Sequence, residues 1–126
     1  MPTPRLASDL ERLTSAGWTL TVLCEEAGFT NVVIRGVETG VLYRPATTDI
    51  LLRVPALYPD AAPDMFWTEP SVVLASGSMP KRAESLETIC GRQWRRFSWH
   101  RSGRWDPNAD WIGSHLEFVR QRFMTA

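Results

Sequence analysis

Tyr58 to Pro70, YPDAAPDMFWTEP, places three prolines, one tyrosine and the apolar trio Met65, Phe66 and Trp67 within thirteen residues. Each proline fixes φ near about −65° and removes a backbone donor. The residue before each proline is pushed toward extended conformations. A chain leaving a strand at Ile50–Val54 must therefore turn here and re-enter extended structure at Met65 with little freedom. The run predicts a rigid corner that serves as a fixed reference surface for whatever packs beside it.

Periodicity places the remaining elements around that corner. Thr3 and Pro4 read as an N-cap followed by proline at the first helical position, and Leu6, Leu10 and Leu13 recur at helical spacing up to Gly17. From Trp18 the period becomes two: Leu20, Val22 and Cys24 share one face, and Phe29–Val37 is rich in β-branched residues. These two segments predict strands joined by a short Glu-Glu-Ala-Gly turn. Ile50, Leu52 and Val54 predict a third strand, and Met65–Trp67 with Ser71–Ala75 a fourth, interrupted or ended by Pro70. Ser76–Arg82 reads as a surface loop. A closing helix is expected from Asp106 as N-cap and Pro107 at its first position, with Ile112, Leu116, Val119 and Phe123 on one stripe. The expectation is an α+β chain: a helix, a four-stranded antiparallel meander, an irregular segment and a helix.

A chain of 126 residues with 44% hydrophobic side chains fits a single domain, 1–126, around one core. Its formal net charge of zero excludes bulk attraction to nucleic acid or an anionic membrane. No apolar run approaches the ~20 residues of a membrane span, and MPTPRLASDLERL has no signal-peptide core, so the cytoplasm is the expected location. Two cysteines, Cys24 and Cys90, lack CxxC spacing, which argues against a zinc ribbon or a disulfide scaffold. Cys24 is in phase with Leu20 and Val22 and reads as an inert core residue. With two histidines and two cysteines so dispersed, no metal site and no cofactor are expected.

Cys90 carries the clearest chemistry. A thiolate is both a strong nucleophile and a good leaving group, so it can take an acyl group as a thioester and pass it to an amine. Arg92, Arg95, Arg96, Arg101 and Arg104 follow it with no acid between Gly91 and Trp105, a positive field that favours thiolate and draws an acidic partner. The competing reading is a small buried hydrophobe after Ile89. His100 is a candidate proton shuttle near neutral pH; Ser98 two residues earlier has no evident orienting acid, which argues against a hydrolase triad. His115, on the final helix, reads as ordinary. Trp94, Phe97, Trp99 and Trp105 with the five arginines would also suit stacking and phosphate contact with single-stranded nucleic acid. The alternative is that Trp94, Phe97 and Trp105 pack under a loop while Arg92, Arg95, Arg96 and Arg101 face a protein partner.

The order of elements, the YPDAAP corner, a lone downstream cysteine and a Trp-x-Pro before the last helix together resemble the ubiquitin-conjugating enzymes. The likeness spans nearly the whole chain and is nearer to divergent bacterial members found beside ubiquitin-like and activating-enzyme genes. It implies a UBC-like fold in which Tyr58, Pro59 and Pro63 match the tyrosine-proline corner, Trp105 and Pro107 match the Trp-x-Pro, and Cys90 falls in the slot of the catalytic cysteine. The family's His-Pro-Asn tripeptide is absent: GSMPKRAESLETIC stands in its place, and Asn108 is the candidate substitute donor. The implied function is acceptance of a ubiquitin-like protein on Cys90 from an activating enzyme, then transfer to a protein substrate, in a bacterial defence setting by analogy. The alternative is a catalytically inactive relative that keeps the fold as a docking module.

Overall fold

The computed structural model describes residues 2–126. Helix α1 spans Pro4–Ser15; Thr3 Oγ1 accepts the Leu6 amide at 3.2 Å, and Leu6, Leu10 and Leu13 turn inward as their spacing requires. Strands β1 (Leu20–Glu26) and β2 (Phe29–Glu38) follow, joined at Ala27 and Gly28, whose φ angles are +55° and +83°. Two consecutive positive φ values are the geometry whose twist matches a two-residue hairpin. Next come β3 (Tyr43–Arg44), β4 (Thr47–Pro55), β5 (Phe66–Thr68), β6 (Val73–Leu74), β7 (Leu86–Ile89) and β8 (Arg92–Phe97), and α2 (Ile112–Arg122) closes the chain.

The main sheet is antiparallel in the order β1-β2-β4-β5-β8-β7. Its first four members are the expected meander. One face, bearing Val32, Ile34, Ile50, Leu52 and Phe66, meets both helices in the larger core, where the Phe66 and Phe97 rings stack at 4.8 Å between centroids. The opposite face bears Val33, Leu51 and Trp67 and packs with Ile89, Trp94, Leu23, Met65 and Cys90 in a second, smaller core. Strand residues of alternating parity are thus buried on both faces, which explains the unbroken Ile50-Leu51-Leu52 run.

Three expectations are corrected. The anticipated fourth strand divides: β5 joins the main sheet, whereas β6, beyond Pro70, pairs with β3 in a separate two-stranded ribbon. The segment expected to be irregular instead supplies β8, which pairs with β5 through Phe66–Phe97, Trp67–Arg96 and Thr68–Arg95. Trp94 and Phe97 put apolar surface on opposite sides of that strand, and each is buried in one of the two cores. The last helix begins at Ile112, not at Asp106, because Asp106 closes its own turn. Its carbonyl accepts the Ala109 and Asp110 amides, and the Asp110 carboxylate returns to the Asp106 amide at 2.8 Å. Trp111 is then extended, with φ −154°, before the helix starts.

The proline-rich corner is built as its composition requires. Tyr58 is buried; its hydroxyl donates to Asp9 Oδ2 on α1 at 2.5 Å and accepts the Ile112 amide of α2 at 2.9 Å. Trp105 Nε1 donates to the Pro59 carbonyl at 2.7 Å, and the Tyr58–Pro59 peptide is cis. The corner therefore joins both helices and the segment leading to α2.

Candidate functional site

Two clusters of chemically competent side chains lie at opposite ends of β8. The first is at the corner. Pro63 is buried, Asp64 follows it at the surface, and Met65 takes a left-handed φ of +56° before β5 begins. Asp64 Oδ1 accepts the Met65 amide at 3.0 Å and lies 2.7 Å from His100 Nδ1. A carboxylate on Nδ1 favours the tautomer that carries its proton on that nitrogen. This is the orienting acid that the sequence did not reveal, because Asp64 and His100 are 36 residues apart. Both side chains are more than half exposed, so the pair fixes orientation more than it contributes stability. The Ser98 hydroxyl accepts from Arg96 Nε at 2.9 Å, an engagement outside any triad.

Behind Met65 lies His115. It is 1% exposed, and its Nε2 donates to the Met65 carbonyl at 2.7 Å, so it buttresses the corner and is not the ordinary residue of α2 expected from the sequence. Burial pushes its imidazole down to about 4 from an ordinary 6.5, against the raising effect of the Met65 bond. The unfolded chain thus takes up a proton below about pH 6.5 that the folded chain refuses until about pH 4. The stability that neutral His115 allows is fully present above 6.5 and falls as the pH drops through that window, by up to about 3 kcal/mol. His115→Met is expected to flatten this part of the acid limb, measured by urea unfolding at pH 7 and pH 4.5. An unchanged pH dependence would refute the burial argument.

The second cluster sits where two hairpin tips meet. Ile89 pairs with Arg92, so Cys90 and Gly91 form a two-residue turn with φ of +52° and +74°. Glycine, asparagine and aspartate are the usual residues for the first of those positions, and a cysteine there is conformationally costly. The Cys90 amide donates to Glu26 Oε2 at 3.0 Å, beside the Ala27–Gly28 turn of the other hairpin. Cys90 is joined to Cys24 by a disulfide with Cα atoms 6.0 Å apart. This corrects the reading of two independent cysteines. The register of β1 shifts between Val22 and Cys24, so the period-two phase that assigned Cys24 to the core is broken there. Cys24 is half-buried and Val22 is 41% exposed.

Cys24, Cys90 and Glu26 bring potential ligand atoms within 4.8 Å of one another, but sulfurs bonded to each other hold no thiolate for a metal ion. The anticipated arginine field around Cys90 is arranged differently. Arg92 stacks over Trp94 at 4.2 Å and lies 4.0 Å from Asp49, and Arg96 lies 3.6 Å from Glu87. Arg101 stacks on Trp105 at 4.3 Å. Arg95, expected at the surface for a partner, is 7% exposed and donates to the Pro70 and Ala83 carbonyls. The charged group bonded to the Cys90 backbone is the acidic Glu26, a neighbour 64 residues away in sequence. Trp94 is wholly buried and offers no stacking face to a nucleobase.

Cys90, His100 and Asn108 are thus not gathered. The six residues of β8 between Cys90 and His100 span ~17 Å at the rise of a strand. Asn108 lies exposed in the turn after Trp105, with its amide bonded to Asp106 Oδ1. Trp105 packs against Tyr58 and donates to the Pro59 carbonyl at the corner, whereas Pro107 lies in the turn before α2 and not at the first position of that helix. No helix among the described residues is long and apolar enough to cross a membrane.

A family model described as prokaryotic E2 family E matches residues 6–126, from the first buried leucine of α1 to the last residue. No curated protein and no solved structure matches.

Proposed function

The chain belongs to the prokaryotic E2 family E, and on that premise we propose that Cys90 is the residue that carries an acyl group. Membership brings the general role: E2-like proteins act in the conjugation of ubiquitin-like proteins and engage the ubiquitin-like protein and its activating enzyme. In the proposed reaction the Cys90 thiolate attacks the carbonyl of the donor thioester and releases the donor thiol. An acceptor amine on the target then attacks the new thioester, the C–S bond breaks, and the Cys90 thiolate leaves. The amine proton goes to a base. His100 follows the far end of β8, so we assign that role instead to the Glu26 carboxylate, which accepts a hydrogen bond from the Cys90 amide. The corner holds the other end of the fold rigid, and the exposed Asp64–His100 pair beside it provides a polar docking point.

The observation that carries this reading is the left-handed Cys90 at the tip of a two-residue turn. That position tolerates cysteine poorly, and it presents the sulfur at a hairpin tip. One observation favours a second reading, a docking module without transfer chemistry. The corner, with the Trp-x-Pro motif and His100, sits at the end of β8 away from Cys90.

The two readings part on Cys90→Ser. Reduced protein offered a Gly-Gly-terminated peptide thioester is expected to form an adduct that a thiol removes. Cys24→Ala should retain that adduct, and Cys90→Ser should yield at most an oxyester that thiols leave intact. Equal adduct in wild type and Cys90→Ser, both thiol-sensitive, would overturn the assignment, and no adduct in any form would favour the docking module.

A further inference from the structure

The Cys24–Cys90 bond joins two hairpin tips on a fold that has two apolar cores of its own. A chain of 126 residues with such cores does not depend on a staple in the way a small secreted domain does. Both cysteines are half-buried, neither sealed in a core nor free at the surface. The hairpin that carries Cys90 is zipped to the meander over only three residue pairs, those of β5 with the far half of β8. Nearer its tip it is held by the Ile89 and Trp94 side chains, the hydrogen bond from the Cys90 amide to the Glu26 carboxylate and the 4.0 Å approach of Arg92 to Asp49. A covalent bond at the least anchored end of an edge hairpin controls more motion there than it would elsewhere in the sheet.

We propose that Cys24 and Cys90 form a reversible thiol–disulfide switch: the disulfide clamps the β7–β8 tip over the second core and masks Cys90, and reduction releases both. In reduction, a dithiol thiolate attacks one sulfur of the pair and forms a mixed disulfide. Its second thiol then closes the cyclic disulfide, so two electrons and two protons pass to Cys24 and Cys90. In the reverse direction a peroxide takes up the Cys90 thiolate as a sulfenic acid and releases hydroxide. The Cys24 thiol then displaces the sulfenic oxygen, which leaves as water, and the disulfide is restored. The structural switch stands independently of acyl transfer. Its consequence for activity, a gate on acyl uptake, rests on the reading of Cys90 as the acceptor.

The test uses the full chain, wild type and Cys24→Ser, equilibrated in buffers of reduced and oxidised dithiothreitol. Trapping with a maleimide and peptide mass spectrometry count the free thiols, and hydrogen exchange follows residues 86–94. The expected result is full conversion of wild type between two labelled and two unlabelled cysteines, with exchange at the tip rising on reduction. Cys24→Ser should exchange at the reduced rate in every buffer. A pair that stays unlabelled in excess dithiol on the native protein, or one that stays free in the oxidised buffer and after peroxide, would overturn the switch. So would tip exchange that ignores the redox state, and the wild-type titration gives these answers even where the variant folds poorly. Uptake of a Gly-Gly peptide thioester is measured in parallel. Loss in oxidised wild type with retention in Cys24→Ser supports the gate. Absence of uptake in reduced wild type and in Cys24→Ser overturns the acceptor reading and its gate, while the thiol count and exchange still decide the switch.

Discussion

Tyr58→Phe is expected to lower stability by about 2–3 kcal/mol although it removes a single oxygen atom. The hydroxyl serves two buried groups. It donates to the carboxylate of Asp9, which is 6% exposed, and it accepts the backbone amide of Ile112, which is fully buried. Without it, Arg5 Nε at 2.9 Å remains as the partner of Asp9, and the first amide of α2 faces phenyl carbon. Leaving a buried donor unmatched costs more than the net gain of an ordinary hydrogen bond, which is why so small a change has so large an effect. Tyr58→Ala adds the loss of a packed ring, including its contact with Trp105 at 6.4 Å between centroids, for a total of about 5 kcal/mol. For a domain of this length the phenylalanine variant should melt roughly 10 °C below wild type. Thermal unfolding followed by circular dichroism checks this, and a wild-type melting temperature in Tyr58→Phe would contradict the role given to the corner.

Loss of the disulfide is the second large effect. The bond closes a loop between residues 66 apart in sequence. Removing a cross-link of that span returns conformational freedom to the unfolded chain worth about 4 kcal/mol. Cys24→Ser should therefore melt roughly 15 °C lower than oxidised wild type. Wild type transferred into reductant should fall to nearly the same temperature, and Cys24→Ser should be indifferent to reductant. Equal melting temperatures for wild type in oxidising and reducing buffer would show that the bond contributes nothing to folding.

These two effects also mark what could and could not be read from the letters. The helix at Pro4 was legible because Thr3, Pro4 and three leucines act within one stretch of chain, and the meander because its strands are neighbours in sequence. Tyr58, Pro59 and Pro63 signalled a corner through local stereochemistry, and with Trp105 and Pro107 they also pointed to the family. The pairing of β8 with β5 was not legible, since Arg92, Arg95 and Arg96 read as surface until Trp94 and Phe97 are placed on opposite faces of one strand. The join between Cys24 and Cys90 depends on two hairpin tips meeting, which no spacing rule reports. Glu26 and Asp64 were missed for the same reason: each acquires its meaning from a partner more than thirty residues away. Cys90 was singled out for its chemistry, while the signal for its conformation, the following Gly91, passed unread as a hairpin turn.

The account turns on which atom carries the acyl group. The most direct measurement is peptide mapping by mass spectrometry of reduced wild-type protein after exposure to a Gly-Gly-terminated peptide thioester, quenched in acid so that thioesters survive. The acyl mass is expected on the peptide containing Cys90, with Cys24 unmodified. Acyl mass on Cys24 alone, or an unmodified Cys90 in fully reduced protein, would contradict it.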